Sequence, residues 1–181
     1  EGHVIRDLAM TPGMLQRLAP ILEQSDEVIR FEGLNGVVRM SADAPDAPGY
    51  ARTVGDAITQ LQHYSAYKIL MSTSLANRIA QDQAFEPLLC FNELELEVTE
   101  ISPRECTKRE GIQSVLDALD PHHGTVYGIG DASNDVSLMN AVDVGIAMGN
   151  APDFLKEKAD YVTDSIDHDG VVTALEHFGL I

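Results

Sequence analysis

The sequence has 181 residues, of which 44% are hydrophobic and 23% charged, a composition typical of one or two globular domains. Asp and Glu number 29 against 12 Lys and Arg, so the formal net charge is −17 at pH 7. We therefore exclude nucleic acids and anionic membrane surfaces as partners, because the acidic field would repel them. The two cysteines, Cys90 and Cys106, lack metal-ligand spacing and are typical of reduced thiols, so we expect a cytoplasmic protein.

The first part of the chain, up to about Ile101, mixes helical and extended patterns. A helix is predicted to begin at Pro12, because Thr11 is a good N-cap and the apolar residues that follow have helical spacing. Further strands are predicted at Val28–Phe31, Gly36–Met40 and Tyr67–Met71, further helices at Val54–Leu61 and Leu75–Ala84, and a loop at Ala42–Gly49. The first two strands are expected to pair around Gly33–Asn35.

The segment from Phe91 to Ile101 alternates apolar and acidic residues. This pattern predicts either a pair of strands or one long strand, half exposed in both cases. The first part of the chain is therefore predicted to be an α+β module whose sheet has one open face.

The second part, from Ser102, has a regular alternation of helices and strands. Helices are predicted at Glu110–Leu119, Asn134–Ala141, Pro152–Ala159 and Gly170–Phe178, and strands at Val126–Ile129, Val144–Met148 and Tyr161–Thr163. Strands that alternate with helices form parallel sheets with right-handed crossovers. The second part is therefore predicted to be an α/β fold with a parallel sheet.

The most informative stretch follows the first of these later strands. An apolar run ends in Gly130-Asp131, and Asn134-Asp135 come at the start of the next helix. Ligand sites of open α/β sheets lie beyond the carboxyl ends of strands, where a carboxylate suits Mg²⁺ and a helix N-terminus suits phosphate. Each residue also has a purely structural interpretation, since Asp131, Asn134 and Asp135 are suitable for capping that helix.

Two more features near this stretch have a similar ambiguity. Lys108 lies just before a predicted helix and, taken alone, is a solvated loop lysine. Gly149-Asn150 follows the next strand, so it either lines the same pocket or forms a turn.

Five short motifs, in their order and spacing, resemble the C-terminal half of the haloacid dehalogenase superfamily, and most closely its Cof-type sugar-phosphatase branch. They are Thr107-Lys108, Gly130–Asp135, Ala147–Ala151, Ala159–Thr163 and Asp169–Val171. The resemblance is close from about Leu94 onward and looser before it, where the chain resembles the α+β cap of that branch. It implies a Rossmann-like parallel-sheet core, with residues 1–8 as a core remnant or linker, 9–102 as the cap and 103–181 as the C-terminal half of the core.

The resemblance implies a role for four residues. Lys108 matches the lysine that steadies the nucleophile and the phosphoryl group, and Asn134 matches the asparagine that contacts the substrate phosphate. Asp131 matches a Mg²⁺ ligand, and Asp135 matches the second acid of the metal site, which orients the water shell of the metal. Mg²⁺ is the implied cofactor, and a small phosphorylated metabolite is the implied substrate. These roles fit phosphoryl transfer, which depends on positioning and charge neutralisation.

The nucleophile of the family is an Asp in an Asp-x-Asp-Gly pattern that precedes the cap, whereas this sequence starts where the cap starts. Asp167–Gly170 has the same pattern, but no buried apolar strand precedes it, so we interpret Asp169 as a helix N-cap. We therefore expect this chain to hold half of an active site and to be inactive alone. The remaining sheet is expected to have an open apolar edge, which favours pairing with another chain.

Three explanations of the missing half are open. The chain is a fragment left by proteolysis or by a chosen boundary, which we favour, or a second chain supplies the missing half, or the chain is a degenerate non-catalytic relative. The leading hypothesis is a Mg²⁺-dependent phosphatase of small phosphorylated metabolites such as sugar phosphates. The alternative is a non-catalytic binding or assembly module that forms a homodimer, or joins a complementing chain, through its incomplete sheet.

Overall fold

The computed structural model describes residues 4–34, 36–61, 66–94, 96–119 and 124–181. The chain forms two compact units, one comprising Asp7–Cys106 and the other Thr107–Ile181 together with the residues up to Arg6. We call them the six-stranded unit and the three-stranded unit after their sheets. Asn35, in the predicted turn between the first two strands, lies outside the described residues.

The strands of the six-stranded unit are β1 (Ile29–Gly33), β2 (Gly36–Met40), β3 (Tyr50–Ala51), β4 (Lys68–Ser72), β5 (Leu89–Glu93) and β6 (Val98–Pro103). The sheet order is β3-β2-β1-β4-β6-β5, and each neighbouring pair is antiparallel except β2 and β3, which are parallel. The alternating segment of the sequence is thus a strand pair, β5 and β6. Strand β3 was missed because two residues are too few to make a pattern.

The helices of this unit are α1 (Pro12–Leu22), α2 (Val54–Gln60) and α3 (Thr73–Ala80). Thr11, Thr53 and Ser72 cap their starts, each accepting a hydrogen bond from the backbone N–H three residues on. Helix α3 ends four residues before the predicted end. The reason is a side-chain turn in which Asp82 Oδ1 accepts from the backbone N–H of Ala84, which competes with helical bonding.

One face of the six-stranded sheet is buried and the other is open, as predicted. Ile29 and Phe31 on β1 and Ile69 on β4 are fully buried in the core that includes residues of all three helices. Arg30 and Arg39 alternate with buried neighbours on β1 and β2, and both are exposed. The open face therefore carries charged side chains.

The three-stranded unit contains β7 (Tyr127–Gly130), β8 (Val144–Ala147) and β9 (Tyr161–Val162), with helices α4 (Lys108–Ala118), α5 (Val136–Met139), α6 (Asp153–Lys156) and α7 (Gly170–His177). The strands lie in the order β7-β8-β9 and all pair in parallel, so the predicted parallel α/β fold is confirmed. The helix predicted at Asn134–Ala141 is instead a 3₁₀ turn, Ser133–Asp135, followed by the short α5.

This unit has a small core. Its cluster of buried apolar residues, within the described part of the chain, consists of Met139, Ala147, Ala151 and Leu155. None of the residues of α4 is buried, and β7 is the end strand of the described sheet. Among the described helices, none has the length and apolar character needed to span a bilayer.

Candidate functional site

The candidate site lies at the carboxyl ends of β7 and β8. Asp131 directly follows β7 and is exposed, while Gly149 and Asn150 form a turn shortly after β8. Because the two strands are parallel neighbours, their carboxyl ends meet at one edge of the sheet. Asn150 Nδ2 donates a hydrogen bond of 3.4 Å to Oδ2 of Asp131 across this edge.

Asp135 is the buried centre of this site. Only 4% of its side chain is exposed, and both carboxylate oxygens have donors. Oδ1 accepts from Nζ of Lys108, and Oδ2 accepts from the backbone N–H groups of Asp131 at 2.9 Å and Ala132 at 3.0 Å. One carboxylate therefore fixes both the lysine and the backbone that carries Asp131.

The pKa of Asp135 reflects two opposing effects. Burial raises the pKa of this carboxyl, but the hydrogen bonds from Lys108 and from the backbone of Ala132 and Asp131 lower it by more, with a further lowering from the lysine charge. The net result is a pKa below the ordinary value of 3.8. Asp135 is therefore ionised at neutral pH although it is buried.

Gly130 makes room for this carboxylate. A Cβ atom at Gly130 would lie 2.5 Å from Cβ, 2.6 Å from Cγ and 2.8 Å from Oδ2 of Asp135. These distances are too short for any real Cβ, so the close approach of Asp135 to the end of β7 requires glycine at this position.

Lys108 is the first residue of α4, and about half of its side chain (46%) is exposed. Thr107 precedes it as the N-cap, and its Oγ1 accepts from the backbone N–H of Glu110 at 3.2 Å. The cap fixes where the helix begins and therefore where Lys108 projects. With its ammonium group on Asp135, the lysine lies next to the loop that holds Asp131.

Of the four residues predicted for the site, Lys108 and Asp135 are in direct contact, and Asp131 is joined to them through its backbone. Asn134 lies in the same 3₁₀ turn and is exposed, but its side chain makes no hydrogen bond with another described residue. Asp131 does not cap the following turn, because the N-cap position is Ala132.

Asn150 also belongs to the site, although its position in the sequence is equally consistent with a simple turn. Besides contacting Asp131, it accepts a hydrogen bond of 3.0 Å from the backbone N–H of Ile166 through Oδ1. Asn150 thus joins the loop after β7 to the loop after β9. Gly149 allows this approach, since a Cβ there would lie 2.7 Å from the backbone N of Ser165. Asn150 both forms a turn and lines the site, the two alternatives left open by the sequence.

The Asp-x-Asp-Gly pattern at residues 167–170 lies away from the end of a strand. β9 ends at Val162, and Asp167 belongs to a 3₁₀ turn at Ile166–His168. Asp169 has φ 54° and ψ 34°, and its carbonyl accepts from the N–H of Thr173 at the start of α7. It occupies the predicted N-cap position, but its side chain makes no capping hydrogen bond.

The metal-binding capacity of the site is limited to few side chains. In the described ranges, no three or more His, Cys, Asp or Glu residues group closely enough to hold a metal ion. Asp131 offers an exposed carboxylate, whereas both oxygens of Asp135 already accept hydrogen bonds. Mg²⁺ usually keeps several waters and takes one or two carboxylates, so Asp131 fits as one ligand of a largely hydrated ion.

Comparison with known proteins identifies the family. The family model for haloacid dehalogenase-like hydrolases matches residues 4–175, almost the whole chain. The chain therefore belongs to the haloacid dehalogenase-like hydrolase family.

Curated relatives agree with this assignment, and a solved structure shares the fold. The chain is 41% identical over 83 residues to the putative phosphatase YkrA of Bacillus subtilis, a match covering 46% of this chain and 32% of that protein. It is 37% identical over 93 residues to the 5-amino-6-(5-phospho-D-ribitylamino)uracil phosphatase YcsE of the same organism, covering 48% and 37%. The structure of the HAD subclass IIB sugar phosphatase BT4131 superimposes with a TM-score of 0.76 at 19% identity, covering 99% of this chain and 71% of that one. The structural match shows the fold, and the two relatives are matched over about a third of their length.

Proposed function

We propose that this chain carries the metal-ligand and lysine half of the catalytic site of a Mg²⁺-dependent phosphatase acting on small phosphorylated metabolites such as sugar phosphates. The observation that carries the proposal is the set of contacts made by Asp135, which holds Lys108 on one oxygen and the backbone of Asp131 on the other. Two matched relatives are named phosphatases, which agrees with this choice of reaction.

Asp131 would bind the Mg²⁺ ion, and Asp135 would assist indirectly. Asp131 presents an exposed hard oxygen at the sheet edge, where it would bind Mg²⁺ directly. Both oxygens of Asp135 already accept hydrogen bonds, so Asp135 would not bind the ion directly. It would instead orient the loop that carries Asp131 and the water shell of the ion. When bound, Mg²⁺ supplies positive charge that neutralises the phosphoryl oxygens.

The phosphate role falls to Lys108 and Asn134. The ammonium group of Lys108 is held in position by a buried carboxylate. A positioned cation is what stabilisation of a transferring phosphoryl group requires. Asn134 is exposed beside the same carboxylate turn, so its amide is available to a substrate oxygen. In a chain with a net charge of −17, a metal or a local cation such as Lys108 would be needed to offset the repulsion of a phosphate ester.

The nucleophile would come from outside these 181 residues. In the family pattern, an aspartate at the end of a strand attacks phosphorus and a second aspartate serves as acid and base, giving a two-step reaction through an aspartyl phosphate. We propose that the six-stranded unit is the cap, which would select the substrate and exclude water. We expect the chain by itself to have no turnover.

The activity test uses the chain with and without an added N-terminal segment taken from the upstream reading frame. We expect release of phosphate from p-nitrophenyl phosphate with Mg²⁺ only in the extended chain, and a loss of about 10²–10³-fold in kcat after Asp131→Ala. Asp153→Ala, an exposed acidic residue on α6, serves as the matched control. An extended chain with no activity, or one indifferent to Asp131→Ala, contradicts the proposal.

A second candidate function is a non-catalytic assembly module. The observation that favours it is the free edge of β7, which pairs only with β8 among the described strands, together with an α4 helix that buries none of its residues. A parallel strand added along β7, from a second copy or a complementing chain, would satisfy that edge. Sedimentation equilibrium tests assembly from a second copy, because a monomer at micromolar concentration contradicts self-association through β7 and leaves the phosphatase proposal intact.

A further inference from the structure

A cavity of about 470 Å³ opens on the uncovered face of the six-stranded sheet. Its floor is formed by side chains of four neighbouring strands, among them Arg30 on β1, Arg39 on β2, Leu70 on β4 and Val98 on β6. The volume lies within the range of about 300–1,000 Å³ typical of small-molecule sites, and the combination of apolar walls with a few convergent polar groups is also typical of them.

The two arginines are the polar groups of interest. Arg30 lies opposite Arg39 in the β1–β2 register, so two positive charges face each other across the strands. Directly opposed like charges destabilise an antiparallel pair. Nη2 of Arg30 contacts Oε1 of Glu32 at 2.5 Å, whereas Arg39 forms no ion pair with any residue in the described part of the chain. An anion placed between the two guanidinium groups would remove this repulsion.

Of the two acidic residues that line the cavity, Glu27 is engaged by Ser72 and not by an arginine. Glu27 is held by Ser72, whose backbone N–H donates to Oε2 at 2.8 Å and whose hydroxyl donates to Oε1 at 2.9 Å. Its carboxylate is therefore hydrogen-bonded to the N-cap residue of α3. Glu97, the residue before β6, also lines the cavity, and its backbone carbonyl accepts from the N–H of Thr73 at 2.7 Å.

The rim of the cavity is conformationally unusual. Leu96 and Glu97 have φ values of 60° and 57°, a left-handed conformation that is rare for side chains of this size, and 93% of Leu96 is exposed. Both residues line the cavity. Backbone strain of this kind concentrates at ligand clamps and functional sites, where the surrounding structure maintains it.

We propose that this cavity binds a small organic oxyanion, a carboxylate or a phosphate ester, with its charge on Arg30 and Arg39 and its apolar body against Leu70 and Val98. The planar guanidinium groups match either oxyanion with paired hydrogen bonds. Glu97 disfavours a second negative charge at the far end of the ligand and accepts a hydroxyl or ammonium group there. The site is contained in the six-stranded unit and is independent of the phosphatase proposal.

The test is a titration of the full chain with phenyl phosphate and, separately, with benzoate. Binding is monitored by the NMR chemical shifts of the backbone amides, with EDTA present to remove divalent metal ions. We expect saturable shifts at Val28–Arg30 and Leu70–Ser72 for at least one probe, and the preferred probe identifies the oxyanion. Arg39→Gln should weaken binding at least about tenfold, because it removes a charge-assisted hydrogen bond. Arg78→Gln makes the same change of charge at an exposed position of α3 and should leave the affinity unchanged.

Glu97→Gln gives a prediction of the opposite sign. It should tighten binding, because it removes a negative charge from the residues that line the cavity. This measurement keeps the proposal testable even if an arginine variant fails to fold. Asp131→Ala should have no effect, which separates this site from the phosphatase proposal. Absence of saturable shifts, shifts confined to residues 131–135, or equal weakening by Arg39→Gln and Arg78→Gln would overturn the proposal.

Discussion

Lys108 donates a hydrogen bond to Asp135, and the two residues are 27 positions apart in the chain. The same carboxylate accepts the backbone N–H groups of Asp131 and Ala132. The start of α4 and the loop after β7 are therefore fixed by a single ionised group.

Replacement of Asp135 by Asn should lower the free energy of unfolding by about 1–3 kcal/mol, since a neutral amide cannot accept from Lys108 and from two backbone amides at once. The value stays modest because half of the lysine is exposed to water. Urea denaturation at pH 7 measures the change. Glu157→Gln, an exposed residue just after α6, is the control and should change stability little. Equal stability of the Asp135 variant and the wild type would show that the contact contributes nothing.

The lowered pKa of Asp135 makes stability depend on acid pH. Between the folded pKa and the ordinary value of 3.8, the unfolded chain binds more protons than the folded one, so stability rises with pH there. The contribution of Asp135 is complete above about pH 5 and is lost as the pH falls through the folded pKa. Urea midpoints measured against pH should fall more steeply in acid for the wild type than for Asp135→Asn. Parallel curves for the two proteins would contradict the assignment.

Gly130→Ala should destabilise the chain by about 1–3 kcal/mol, because the new methyl group would overlap the Asp135 side chain and the packed site has no room to relax. Gly111→Ala is the matched control. It lies within α4, and apart from its chain neighbours and the backbone of its own helix no atom lies within 4 Å of the added Cβ. This substitution should stabilise the chain by about 0.5–1 kcal/mol through helix propensity. Thermal or urea unfolding of both variants checks the pair, and two changes of the same sign would refute the steric argument.

Asn150→Ala should weaken divalent-ion binding at Asp131 about tenfold, as loss of a residue that orients a metal ligand commonly does. Mn²⁺ titration followed by electron paramagnetic resonance on the unextended chain measures this without any turnover. Asn77→Ala, on the exposed side of α3, is the control. Because Asn150 also holds the N–H of Ile166, hydrogen exchange of that amide should accelerate in the same variant. Unchanged Mn²⁺ affinity would mean that the hydrogen bond to Asp131 has no bearing on the metal.

The local elements with strong signals were predictable from the sequence. Thr11-Pro12 marked the start of α1, and the alternation of short apolar runs with helices gave the parallel sheet. The regular helix predicted to begin at Asn134 does not form, because the Asp135 side chain accepts hydrogen bonds from the backbone N–H groups of Asp131 and Ala132. Such side-chain bonding to the local backbone competes with a regular helix.

The roles of the candidate site residues stay predictions, and their contacts are less predictable from the sequence than the local elements. Lys108 and Asp135 were both singled out, but burial of a carboxylate cannot be recognised in a polar stretch such as residues 130–135. The contacts of Asn150 depend on two loops that lie 19 and 16 residues away in the chain and meet only in the folded sheet. Cross-strand pairing likewise brings Arg30 opposite Arg39, and no local pattern in the sequence reveals it.

The unequal size of the two hydrophobic clusters has a consequence for how the chain opens. The cluster in the six-stranded unit includes the fully buried Phe31, Leu18 and Ile69. The cluster in the three-stranded unit consists, among the described residues, of two alanines, one methionine and one leucine. Regions with little buried apolar surface open at lower free energy than the rest of a protein. Amide protons of β8 should therefore exchange with solvent through local openings that leave β1 and β4 protected, and a protease should cut within residues 107–181 first.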